Sequence, residues 1–144
     1  MQKPSLIYDG DCEFCQYCVD YFKKVTEKQI SFIDYQTNTF GISEIDCAKS
    51  IHLVVNEIEI YRGSAAAFKA LSYGDNNRGW WLYQHLPGFS TLSERIYKWI
   101  TRHRSLCYRM AKIILGNPWK VGRITFILWT IIALILALTF FKNL

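Results

Sequence analysis

Short apolar runs separated by polar turns fill the first 90 residues of the chain, and longer helical periods take over beyond them. Leu6-Ile7-Tyr8 stops at Asp9-Gly10, which predicts a short strand ending in a turn. From there the period lengthens. Phe14, Cys15, Cys18, Val19, Phe22 and Val25 share one helical face, with Glu13, Gln16, Asp20, Lys23, Lys24 and Glu27 on the other, so a helix is expected to start near Cys12. Ile30-Ser31-Phe32-Ile33 reads as a second strand, and the polar stretch 35–50 as a loop with one helical turn around 43–49. Residues 51–55 and 58–62 flank Asn56-Glu57 as a tight hairpin. Ser64 is expected to cap a helix through Ala65, Phe68 and Leu71, and 80–86 to form a short helix stopped by Pro87-Gly88.

The order strand, helix, strand, then strand, strand, helix is that of a minimal thioredoxin-like α/β core, with a right-handed crossover making the first two strands parallel. Past residue 90, Leu92, Ile96, Trp99, Ile100, His103, Leu106, Cys107, Met110, Ile113 and Ile114 recur at helical spacing. Arg95, Lys98, Arg102, Arg109 and Lys112 take the other faces. The pattern predicts one basic amphipathic helix over 91–115, opened by a Thr91/Glu94 capping box and ended by Gly116-Asn117-Pro118. Its first turns are expected to pack on the domain and its last to lie at a membrane surface.

From Ile124 to Phe141 run eighteen residues without a charge or a helix breaker, the signature of a transmembrane helix, with flanks from 119 to 142. Lys112, Lys120 and Arg123 precede this segment and only Lys142 follows it, which by the positive-inside rule leaves the N-terminal part in the cytoplasm. No signal-like apolar stretch opens the sequence. The expected organisation is a domain at 1–90, an amphipathic helix at 91–115 and a C-terminal single-pass anchor at 119–142.

Composition fits this division. The 144 residues are 51% hydrophobic and 20% charged, which excludes a disordered chain. The net charge of +5 belongs to neither half: residues 1–90 carry 8 basic and 11 acidic side chains, residues 91–144 carry 9 basic ones and Glu94 alone. A basic tail beside a membrane segment accounts for the excess, so no nucleic-acid partner is expected.

The chemistry gathers where the first strand meets the first helix. Cys12 and Cys15 lie three apart across the first helical turn, on adjacent positions of one face and within reach of a disulfide. Cys12, at the helix N-terminus, is the expected nucleophile, and Cys15, one turn deeper, the resolving thiol. Asp9, Asp11 and Glu13 oppose the thiolate that the helix dipole favours, which points to a reductase or general exchanger more than a strong oxidant. Asp9 has two readings, a proton shuttle for Cys15 or a cap and brace of the turn. Gly10 is expected to permit that turn.

The segment LIYDGDCEFC, with Asp9-x-x-Cys12-x-x-Cys15, resembles the DCC family of thiol-disulfide oxidoreductases, named for its D-x-x-C-x-x-C signature. The resemblance continues through IHLVVNEIEIYRG, Ser64-Ala65-Ala66-Ala67, the aromatic stretch 80–87 and ERIYKWITRHR. It implies a thioredoxin-like fold with Cys12 and Cys15 as the redox pair. The expected substrate is a protein or small-thiol disulfide, and no cofactor beyond that pair is expected. One departure is the missing cis-proline. Near Lys49-Ser50-Ile51, where thioredoxins carry it, this chain has none, and a trans peptide is expected.

Rival readings use the same residues. Cys12, Cys15 and Cys18 have C-x₂-C-x₂-C spacing, as in iron–sulfur or zinc ligation, but a continuous helix cannot wrap three ligands round a cluster, and His52, His85 and His103 lack ligand spacing. No metal site is expected; Cys18 reads as a small core residue, and Cys47 and Cys107 as plain thiols. Asp9-x-Asp11 after a strand also resembles the nucleophile of haloacid-dehalogenase-type phosphatases, without their later lysine and acidic pair. A non-catalytic, membrane-tethered binding module using Trp80, Trp81, Tyr83 and Phe89 is the remaining alternative.

Overall fold

The computed structural model describes residues 3–37, 40–75 and 77–115. A four-stranded sheet is built from β1 (Ser5–Tyr8), β2 (Ser31–Asp34), β3 (His52–Val55) and β4 (Glu59–Arg62), in the order β2-β1-β3-β4. β1 runs parallel to β2 and antiparallel to β3, which pairs antiparallel with β4. With α1 (Glu13–Val25) between the parallel strands and α3 (Gly63–Leu71) after the hairpin, this mixed α/β arrangement is consistent with a thioredoxin-like core.

Strand alternation divides the core. Leu6, Leu53 and Val55 point to one face and pack with Phe22 of α1 and Ala66 and Ala70 of α3. Ile7 and Val54 point to the other, where Cys47 of α2 (Glu44–Lys49) covers them with Tyr35, Phe40 and Ile42. Ser43, foreseen near a helical turn, caps α2 by accepting the Asp46 N–H at 3.2 Å. Asn56 and Glu57 both take positive φ, 50° and 62°, as a mirror-image hairpin turn requires, and Ile58 joins the turn instead of β4.

Two expected caps are replaced. Ser64 lies inside α3, whose cap position is Arg62; its hydroxyl donates to Glu94 Oε1 at 2.6 Å. The Thr91/Glu94 capping box does not form either. After α4 (Arg78–His85), Gly88 at φ 81° turns the chain directly into α5 (Phe89–Arg102), so Thr91 is already helical and Glu94 is free to approach the start of α3. There the carboxylate accepts the Ala65 N–H at 3.4 Å, one of the orphan donors of the helix N-terminus.

The helix expected over 91–115 is two helices. It breaks at His103, φ −118° and ψ 35°, ahead of α6 (Arg104–Leu115). The break turns Arg104 into the domain, where its guanidinium finds three oxygen partners. α5 also turns away most of its expected apolar face: Leu92, Ile96 and Trp99 are about half exposed, while Ser93, Glu94, Tyr97 and Thr101 are less exposed, together with Ile100, the member of the stripe that does face inward. The aromatic residues of α4 chiefly pack, Trp80 on Tyr61 and Tyr83, and Tyr83 on Phe68; Trp81 stays exposed and stacks on His85.

The first compact unit runs through Arg104, and a second begins at Ser105. In the second, Lys112 lies over the Tyr108 ring, 4.3 Å from its centroid. Among the described residues no helix is long and apolar enough to cross a membrane, and the expected span at 119–142 lies outside them.

Candidate active site

The site is made at the exit of β1. Asp9 Oδ1 accepts the Asp11 N–H at 3.2 Å, closing an Asx turn, and Gly10 follows with its Cα against the Asp34 carboxylate. A Cβ at Gly10 would overlap that carboxylate, so close approach, not an unusual φ, calls for glycine here. Gln16 closes the loop by donating to the Gly10 carbonyl.

Cys12 itself is the cap of α1. Its backbone is extended, φ −91° and ψ 108°, and its Sγ accepts the Cys15 N–H at 3.2 Å, as a serine oxygen would. Capping therefore falls to Cys12 and not to Asp9. The Cys15 Sγ lies 2.6 Å from the Cys12 Sγ, so little side-chain rotation separates the dithiol from a disulfide. Both thiols are free and half-buried. Their surroundings differ: Cys15, not Cys12, lines an apolar cavity of about 240 Å³ with Phe14, Cys18, Val19, Phe22, Ile51 and Ile100. Burial there, followed by the contact with Cys12, pushes the Cys15 thiol well above the usual range, against the lowering effect of Arg104.

Arg104 was not among the residues the sequence pattern singled out. It joins Asp9 Oδ2 at 3.1 Å and donates to the carbonyls of Ala48 at 2.8 Å and Lys49 at 3.3 Å. Arg104 and Asp9 side chains are only 24% and 18% exposed, so the pair is far better shielded than a surface salt bridge. Burial disfavours its charge, but the two cysteines and Asp9 outweigh that and hold its pKa above the ordinary value. Tyr97 supports the same loop: its hydroxyl accepts the Ile51 N–H at 3.0 Å, and burial pushes its pKa up to about 12. Arg104 and Tyr97 together thus hold 48–51, the stretch that lacks the thioredoxin proline; no peptide among the described residues is cis. The only hint in the sequence was the polar stripe Glu94, Tyr97, Thr101, Arg104 within ERIYKWITRHR.

Asp9, Cys12 and Cys15 offer ligand atoms within 4.8 Å of one another, and among the described residues this is the group that could hold a metal ion; Cys18 does not join it. The guanidinium already on Asp9 works against a cation there. The three histidines sit elsewhere: His52 is buried in β3, with burial and the Arg62 charge holding it below its usual pKa, and His85 and His103 stack on Trp81 and Trp99.

An α/β domain with a cysteine pair at the N-terminus of its first helix defines a dithiol class of protein, in which two adjacent sulfurs can be joined and parted. The chain belongs to the DCC1-like thiol-disulfide oxidoreductase family, whose sequence model matches residues 6–110. Neither the curated proteins nor the solved structures contain a match.

Proposed function

We propose that the domain exchanges disulfides through Cys12 as attacking thiol and Cys15 as resolving thiol. The Cys12 thiolate attacks one sulfur of a substrate disulfide; a mixed disulfide forms and the other substrate sulfur leaves as a thiolate that takes a proton. Cys15 then loses its proton and attacks the Cys12 Sγ, which closes the Cys12–Cys15 disulfide and releases the second thiol. The substrate gains two electrons and two protons, the pair loses them, and a cellular dithiol restores the reduced form. Asp9 braces the turn, and in this reading it also takes up the Cys15 proton, its carboxylate lying within 4.8 Å of both sulfurs. The observation that carries this reading is the 2.6 Å approach of the two sulfurs at the start of α1, one capping the helix and one against an apolar cavity.

Trapping tests it. Cys15→Ser is expected to accumulate mixed disulfides on Cys12, and Cys12→Ser to abolish them. A Cys12 thiol unreactive toward any disulfide would leave a binding module and overturn the exchange reading.

The same proposal places the domain at a membrane, tethered by the uncharged segment 124–141 with the dithiol on the cytoplasmic side, as the basic residues before it favour. In vesicles with the cytoplasmic face outward, protease is expected to remove the dithiol domain and to leave the span and the last few residues on the far side protected.

A further inference from the structure

The first compact unit, through Arg104, is electrically balanced, with twelve basic and twelve acidic side chains. Its cations are not spread evenly. Lys49, Arg62, Lys98, Arg102 and Arg104 all line one cleft of about 810 Å³, and among its described lining residues Glu94 is the sole acid. That carboxylate is already engaged, accepting from the Ser64 hydroxyl at the start of α3. Arg62 lies 3.9 Å from Asp46 and Arg104 is held by Asp9. Lys49, Lys98 and Arg102 have no ion-pair partner among the described residues. The volume suits a small molecule.

We propose that this cleft binds the carboxylates of a small anionic disulfide while its sulfurs reach the Cys12–Cys15 pair. The proposal rests on the exchange reading and names its substrate class. Two observations tie cleft to dithiol. The cleft shares Ser50, Tyr97, Thr101 and Arg104 with the apolar cavity that Cys15 lines, and Arg104 also interacts with Cys12, so the cations adjoin the residues that surround the pair. Asp11 and Glu13, which line neither the cleft nor the cavity, flank Cys12 in the chain and repel a carboxylate carried next to the substrate sulfur. The preferred substrate therefore has its negative charges several bonds away from the disulfide.

Three probe disulfides test this on the reduced full-length protein: glutathione disulfide, with remote carboxylates; hydroxyethyl disulfide, neutral; and dithiodiglycolate, with carboxylates beside sulfur. Each rate is divided by that of the same probe with a free dithiol, which removes intrinsic reactivity. The expected order is glutathione disulfide ahead of the neutral probe by about tenfold at low salt, and dithiodiglycolate behind it. Added salt is expected to shrink the first advantage, and Lys98→Glu with Arg102→Glu to erase it, with the Gln pair intermediate. Equal normalised rates, or an advantage that the Glu pair leaves intact, would overturn the proposal. If no probe oxidises Cys12, the exchange reading itself has failed. The cleft is then judged by calorimetry with S-methylglutathione, which cannot exchange: saturable binding lost in the Glu pair upholds it, and absent binding overturns it.

Discussion

Two amphipathic helices, α1 and α5, pack on the same domain and settle in opposite senses. α1 buries Val19 and Phe22 and leaves its charged face in water. α5 leaves Leu92, Ile96 and Trp99 about half exposed and turns Glu94, Tyr97 and Thr101 inward. Transfer of apolar surface decides the first. Hydrogen bonds decide the second: Glu94 meets donors at the start of α3, and Tyr97 satisfies the N–H of Ile51. An apolar period thus finds a helix reliably but does not say which face turns inward once the polar face has partners waiting.

The contrast can be broken most severely at α1. Phe22→Ala is expected to cost about 3–5 kcal/mol, read as a lowered urea midpoint, because the side chain belongs to the central cluster. Next comes the clamp at the end of α5. In Arg104→Ala the Cys15 thiol loses the neighbouring positive charge that pulls its pKa down. Release of a Cys12 mixed disulfide by Cys15 should then move to more alkaline pH. Near neutrality it slows about tenfold for each unit the thiol rises, and Arg104→Lys, which keeps the charge, restores part of the rate. In both the parent and the Ala variant the resolution rate is expected to climb with pH, since Cys15 already stands above the usual thiol range. Tyr97→Phe leaves the Ile51 N–H without its acceptor, at about 1–3 kcal/mol by the same urea assay. Ile96→Ala, on the exposed stripe, is expected to stay within about 0.5 kcal/mol of the parent. A large loss there would show that α5 buries its apolar face in solution after all.

The same contrast explains what could be read from the chain. β1, α1 and the CxxC pair were legible because periodicity, a strand-to-helix turn and cysteine spacing are all local signals, and each element forms within a residue or two of its expected bounds. The hairpin was legible through Asn56-Glu57, although Ile58 stays in the turn. The caps were not. Ser64 and Thr91 carry the right side chains, but Gly88 starts α5 early and a carboxylate from α5 serves α3. Arg104 was hidden for the same reason. In the chain it is one more basic residue in a basic helix, and only the break at His103 delivers it to Asp9.

That delivery spans a sequence separation of 95 residues, whereas the two sulfurs are separated by 3. The dithiol can therefore meet as soon as the first helical turn exists, but its clamp is the last long-range contact of the domain to become available as the chain is made. Local closure is fast and distant closure slow. An incompletely folded chain thus holds paired cysteines without the guanidinium that tunes them, and full reactivity becomes a late acquisition that marks a finished domain.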